Sequence, residues 1–75
     1  MPIIHRTEIE RHIGKRIRQR RKSWNASQEL IAEALGISYQ QLQKYEAGKN
    51  RIPASMLYEI ARLLDVQVTF FFDGQ

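Results

Sequence analysis

The chain of 75 residues contains no cysteine. That excludes a disulfide staple, a thiolate metal site and a thiol nucleophile. A hydrophobic core must therefore hold the fold alone or be extended by a partner subunit, in a size range where one core gives only modest stability. Prolines number two and glycines four, and there is no linker, internal repeat or low-complexity segment. No apolar run approaches the ~20 residues of a membrane span. The N-terminal MPIIHRTEIER reads as neither a signal nor a transit peptide, so a soluble, cytoplasmic chain is expected. His5 and His12 have no partner at metal-ligand spacing. Ser23, Ser27, Ser38 and Ser55 sit where caps and turns belong, without the base and orienter an activated nucleophile needs. With no phosphate-cradling glycine loop and no carboxylate pair in an apolar setting, the expectation is a protein that is not an enzyme and uses no cofactor or metal.

What is present is a sufficient apolar fraction, 43%, which argues against wholesale disorder. There is also an excess of positive charge, formally +4. The charge is uneven: Arg11, Lys15, Arg16, Arg18, Arg20, Arg21 and Lys22 lie together with no acid among them. Such a block is either a solvated helix face or a surface for a polyanion, most often nucleic acid.

Apolar periodicity predicts an all-α fold, a compact bundle of four to five short helices forming one domain over residues 1–75. The first helix spans roughly 8–24, with Ile9, Ile13, Ile17 and Trp24 on one side. Ser27 caps a second over 28–35, whose apolar face is Leu30, Ile31, Ala34 and Leu35, and Gly36 stops it. Ser38 and Gln41 form a capping box for a third over 39–47, with Leu42 and Tyr45 inward and Gly48 at its end. A fourth over 55–64 buries Met56, Leu57, Ile60, Ala61 and Leu64. Val66 to Phe72 has strand propensity but no partner strand, so it reads as a last short helix over 68–72.

The spacing between the second and third helices points to function. Two helices that cross around a short turn need a small residue at the contact, supplied by Ala32. The turn needs a conformation glycine adopts cheaply, supplied by Gly36. The second helix of the pair must plug into the core a turn apart, supplied by Leu42 and Tyr45. What remains outward is Tyr39, Gln40, Gln43 and Lys44, with Gln41 at the margin.

In these features the sequence resembles the lambda-repressor-like, or Cro-type, helix-turn-helix regulators of the XRE family. The resemblance covers roughly Ile13 to Phe72 and rests on "IGKRIRQRR", "SQELIAEALGIS", "QLQKYEAGKNRIP" and "LYEIARLLDV". It implies a five-helix bundle containing a helix-turn-helix that binds double-stranded operator DNA, usually as a dimer, hence a cytoplasmic, nucleoid-associated protein of bacterial type. By that resemblance Tyr39, Gln40, Gln43 and Lys44 read bases in the major groove, where glutamine can pair in bidentate fashion with adenine. Gln28, Ser27, Gln41, Lys49, Asn50 and Arg51 fall on the DNA backbone, where contacts hold register and make binding salt-dependent. Arg21 and Glu46 match a pair that braces the fold internally. Arg16, Arg18 and Arg20 receive no role beyond raising the local positive potential.

Phe71 is assigned to the core, and Phe70 and Phe72 to exposed apolar surface, which marks an interface. The expected use is a homodimer that sets two recognition helices on a pseudo-palindromic operator; the rival is cover by a further C-terminal domain. As for role, the leading expectation is a dimeric transcriptional repressor. The alternatives are an antitoxin-like protein that neutralises a protein partner and binds its own operator, and an RNA binder using the basic first helix.

Overall fold

A computed structural model describes residues 5–74. Among these the structure is entirely helical: α1 (Arg6–Ser23), α2 (Gln28–Leu35), α3 (Tyr39–Glu46), α4 (Ala54–Leu63) and a terminal 3-10 helix (Val68–Phe72). Helix α1 starts ahead of the expected Glu8, which instead supplies an acid to its first turn, while Arg20, Arg21 and Lys22 fill its last turn. Both placements complement the helix dipole.

Each boundary has a local cause. Ser27 Oγ accepts from the Leu30 N–H at 3.0 Å and Ser38 Oγ from the Gln41 N–H at 3.1 Å, which starts α2 and α3. Gly36 ends α2 in the left-handed region, φ 71°, and the next N–H, of Ile37, returns to the Ala32 carbonyl at 3.0 Å. That is a C-cap which a side chain at Gly36 would strain. The helix-turn-helix α2–α3 thus has its geometry fixed by two serines and one glycine.

The core is centred on Ile17, Leu42, Ile60, Leu64 and Phe71, all fully buried, with Ile13, Ile31, Ala32, Leu57 and Ala61 around them. Helix α1 packs against α3 and the 3-10 helix, and α2 against α3. The α1–α3 contact is close because Gly14 is buried there; a Cβ on it would collide with the Tyr45 and Glu46 carbonyls.

Three apolar assignments are corrected. Trp24 is 48% and Leu30 58% exposed, and Ala34 is exposed too. Trp24 falls just past the end of α1, where the chain turns away through Asn25 (φ 54°), and its ring lies under the Arg20 guanidinium instead. On α2, only the side carrying Ile31 and Ala32 meets the core, and Leu30 and Ala34 lie beyond what the neighbouring helices cover.

Candidate nucleic-acid interface

Helix α3 divides cleanly by face. Leu42, Tyr45 and Glu46 are buried, whereas Tyr39, Gln40, Gln43 and Lys44 are exposed. Its orientation is locked from behind by a buried ion pair. Arg21 Nε donates to Glu46 Oε2 at 2.7 Å and Nη2 to Oε1 at 2.9 Å, while Nη1 donates to the Ala26 carbonyl at 2.8 Å. Gln28 Nε2 adds a bond to Glu46 Oε1 at 3.0 Å. One carboxylate therefore ties the last residue of α3 to α1 and to the first residue of α2. The hydrogen bond that Arg21 donates to Glu46 is the main cause that raises the Arg21 pKa; burial opposes it, and the charges of Glu46 and Glu29 add to it. Bidentate geometry of this kind fixes orientation as well as adding attraction.

The residues expected on a DNA backbone separate into four groups. Lys49 lies in one shallow concavity with Gln40, Gln43, Lys44 and Ala47, so it is beside the exposed face of α3. Ser27 and Gln28 stand at the start of α2, with Gln28 and Gln43 lining a common concavity. Asn50 and Arg51 turn toward α1, in a groove with Ile9, Ile13, Ile52 and Leu57, and Arg51 Nε reaches Glu10 Oε1 at 3.5 Å. That pair is open to solvent and holds Arg51 only weakly. Gln41, at the margin of α3, is half-buried.

Phe70 departs from its expected exposure: it is half-buried and packs against the core. Arg16 covers its ring, with the guanidinium 3.9 Å from the centroid, and the ring meets Phe71 edge-on at 5.6 Å. Phe72 remains 39% exposed. Arg16 Nε also donates to the Phe70 carbonyl at 3.0 Å, and Arg20 Nε to the Leu64 carbonyl at 2.8 Å. Two arginines without an assigned role are thus cross-links that hold the C-terminal segment to α1 and satisfy carbonyls past the end of α4. Sequence reasoning missed both, because their acceptors are backbone atoms. It also missed Gly14, although a glycine inside a helix, which costs about 1 kcal/mol against alanine, is a signal of close approach.

Comparison with known proteins agrees with the helix-turn-helix fold. The family model described as Helix-turn-helix matches residues 17–71. An uncharacterised transcriptional regulator in the ATPase CF(0) region of Rhodospirillum rubrum is 50% identical over 64 residues, which cover 85% of this chain and 59% of that protein. An uncharacterised HTH-type transcriptional regulator of Sinorhizobium medicae is 52% identical over 65 residues, covering 87% and 47%. The chain thus spans about half the length of these curated relatives. Among solved structures, an HTH_3 family transcriptional regulator from Vibrio cholerae superposes with a TM-score of 0.81 at 25% identity, over 91% of this chain and 38% of that one. The restriction-modification controller protein C.AhdI from Aeromonas hydrophila gives 0.79 at 23% identity, over 87% and 97%, a likeness of fold.

Proposed function

The chain belongs to the helix-turn-helix family, and from that premise we propose that it is a transcriptional repressor that binds double-stranded DNA sequence-specifically as a homodimer. In this reading α3 enters the major groove, Tyr39, Gln40, Gln43 and Lys44 meet base edges, and Ser27, Gln28, Gln41, Lys49, Asn50 and Arg51 meet the sugar-phosphate backbone on either side. The observation that carries it is the division of α3: four exposed polar side chains on a helix whose buried side is locked by the Arg21–Glu46–Gln28 network. A side chain reads a base only if the helix beneath it is fixed, and here the fixing groups are inside the protein and free the outer face for the ligand.

The experiment is a selection of bound duplexes from genomic fragments, followed by mobility shifts on a selected duplex and a scrambled one. The double variant Gln40→Ala, Gln43→Ala is expected to lose the preference for the selected duplex, with discrimination falling by about 1–3 kcal/mol for each bidentate pairing removed. Binding to the scrambled duplex, which rests on phosphate contacts, stays. An unchanged preference assigns base reading elsewhere.

A further inference from the structure

The seven cations between Arg11 and Lys22 do two different jobs. Arg16, Arg20 and Arg21 are engaged within the molecule, on the Phe70 ring and carbonyl, the Leu64 carbonyl and the Glu46 carboxylate. Arg11, Lys15, Arg18 and Lys22 are all exposed, and none takes part in an ion pair among the described residues. Their spacing, i, i+4, i+7 and i+11, places them within one sector of about 60° on a 3.6-residue helix, opposite Arg16 and Arg20.

Three of the four lie beside the helix-turn-helix or the turn that follows it. Arg18 lines the concavity that also holds Gln28 and Gln43, with Glu29 in the same lining. Lys22 shares a second concavity with Ser27, the N-cap of α2, and with Asn25. At the other end, Arg11 lies directly against Gly48, just after α3: a Cβ on that glycine would meet the Arg11 backbone. The stripe therefore runs from the start of α2, past the C-terminal end of α3, to the loop that carries Lys49.

We propose that this stripe on α1 is a second DNA-backbone contact surface, with Arg18 and Lys22 each meeting a phosphate on the flank of the groove that α3 enters. The proposal rests on the reading of α3 as a groove-reading helix and adds the α1 flank to it. A rigid helix carrying four exposed cations in line suits a regularly spaced row of phosphates, and such contacts raise affinity without selecting sequence.

The test measures affinity against salt for the parent and for Arg18→Gln, Lys22→Gln and the pair together. The probes are the selected duplex, a scrambled duplex and a hairpin RNA, and Arg62→Gln on α4 is the control for removal of one charge. The double variant is expected to weaken binding to both duplexes by the same factor. The slope of log K on log salt should fall by about 0.9 for each phosphate that is no longer neutralised. The preference for the selected duplex should not move. Arg18→Lys with Lys22→Arg should restore the parental slope, which separates loss of charge from loss of fold. A salt slope unchanged from the parent, or reduced per charge no more than in Arg62→Gln, overturns the stripe while leaving the α3 reading in place. A parent that binds neither duplex overturns the α3 reading and this proposal together. A parent that binds the hairpin RNA more tightly than either duplex, with that binding abolished in the double variant, assigns the stripe to RNA instead.

Discussion

Arg21 holds three acceptors at once, both oxygens of Glu46 and the Ala26 carbonyl, and it is almost fully buried. A guanidinium removed from water to this extent is tolerable only because its donors are satisfied. Its pKa is raised by the Glu46 hydrogen bond. A base with a raised pKa adds stability at every pH below its unfolded value and loses it only as pH climbs through the folded value. For arginine that window lies far above neutrality, so titration of Arg21 does not weaken the brace at physiological pH. Removing one partner is different. Glu46→Ala leaves a buried cation unpaired and is expected to cost about 3–5 kcal/mol, whereas Arg21→Met combined with Glu46→Leu should recover most of that loss. Urea denaturation of Arg21→Met, of Glu46→Leu and of the two together measures the cycle. If the double variant is as unstable as the sum of the singles, the pair is not coupled. DNA affinity should fall even in the stable double variant, because α3 no longer has a fixed orientation.

At the scale of elements, the α1–α3 crossing is set by one atom's absence. Alanine in place of a helical glycine usually stabilises by about 1 kcal/mol. At Gly14 the sign reverses, since the new Cβ meets two backbone carbonyls that no rotamer change can move. Gly14→Ala is expected to cost about 1–3 kcal/mol, as overpacking does, read as a lower urea midpoint at unchanged m-value. A midpoint at or above the parent's would mean that the helices separate at no cost. This crossing also marks the limit of what the sequence discloses. Ser27, Gly36, Ser38, Leu42 and Tyr45 are legible because caps, glycine turns and inward plugs are local events with their own residue types. Trp24, Leu30 and Ala34 misled because periodicity tells which side of a helix is apolar, not how wide a strip its neighbours cover. Arg16 and Arg20 were illegible for another reason. They bond the carbonyls of Phe70 and Leu64, and a carbonyl has no letter in a sequence. The outward face of α3 could be read from spacing, but the flank that Arg18 shares with Gln28 exists only once α1 is placed against α2 and α3.

For the whole molecule, the homodimer proposed above is assigned to the C-terminal rings, as part of the same proposal. Arg16 and Phe71 occupy Phe70 inside the subunit, which leaves Phe72 as the ring with a free face. A single ring is a small patch, but a two-fold axis beside it doubles the contact, because each copy presents the same surface. An operator read by such a dimer needs half-sites about 34 Å apart, one turn of the duplex. Phe72→Ser separates the dimer from the fold, since the ring is partly in water already and the core ring, Phe71, is untouched. Phe70→Ser would not separate them, because it removes the ring under Arg16. In sedimentation velocity Phe72→Ser is expected to move from dimer to monomer, and its melting temperature should lose any dependence on protein concentration. Its affinity for a palindromic duplex should fall to that for a duplex with one half-site, because the second α3 no longer arrives with the first. Sedimentation identical to the parent's would place the contact between copies on another face, with the exposed Leu30 and Tyr58 the next surfaces to substitute.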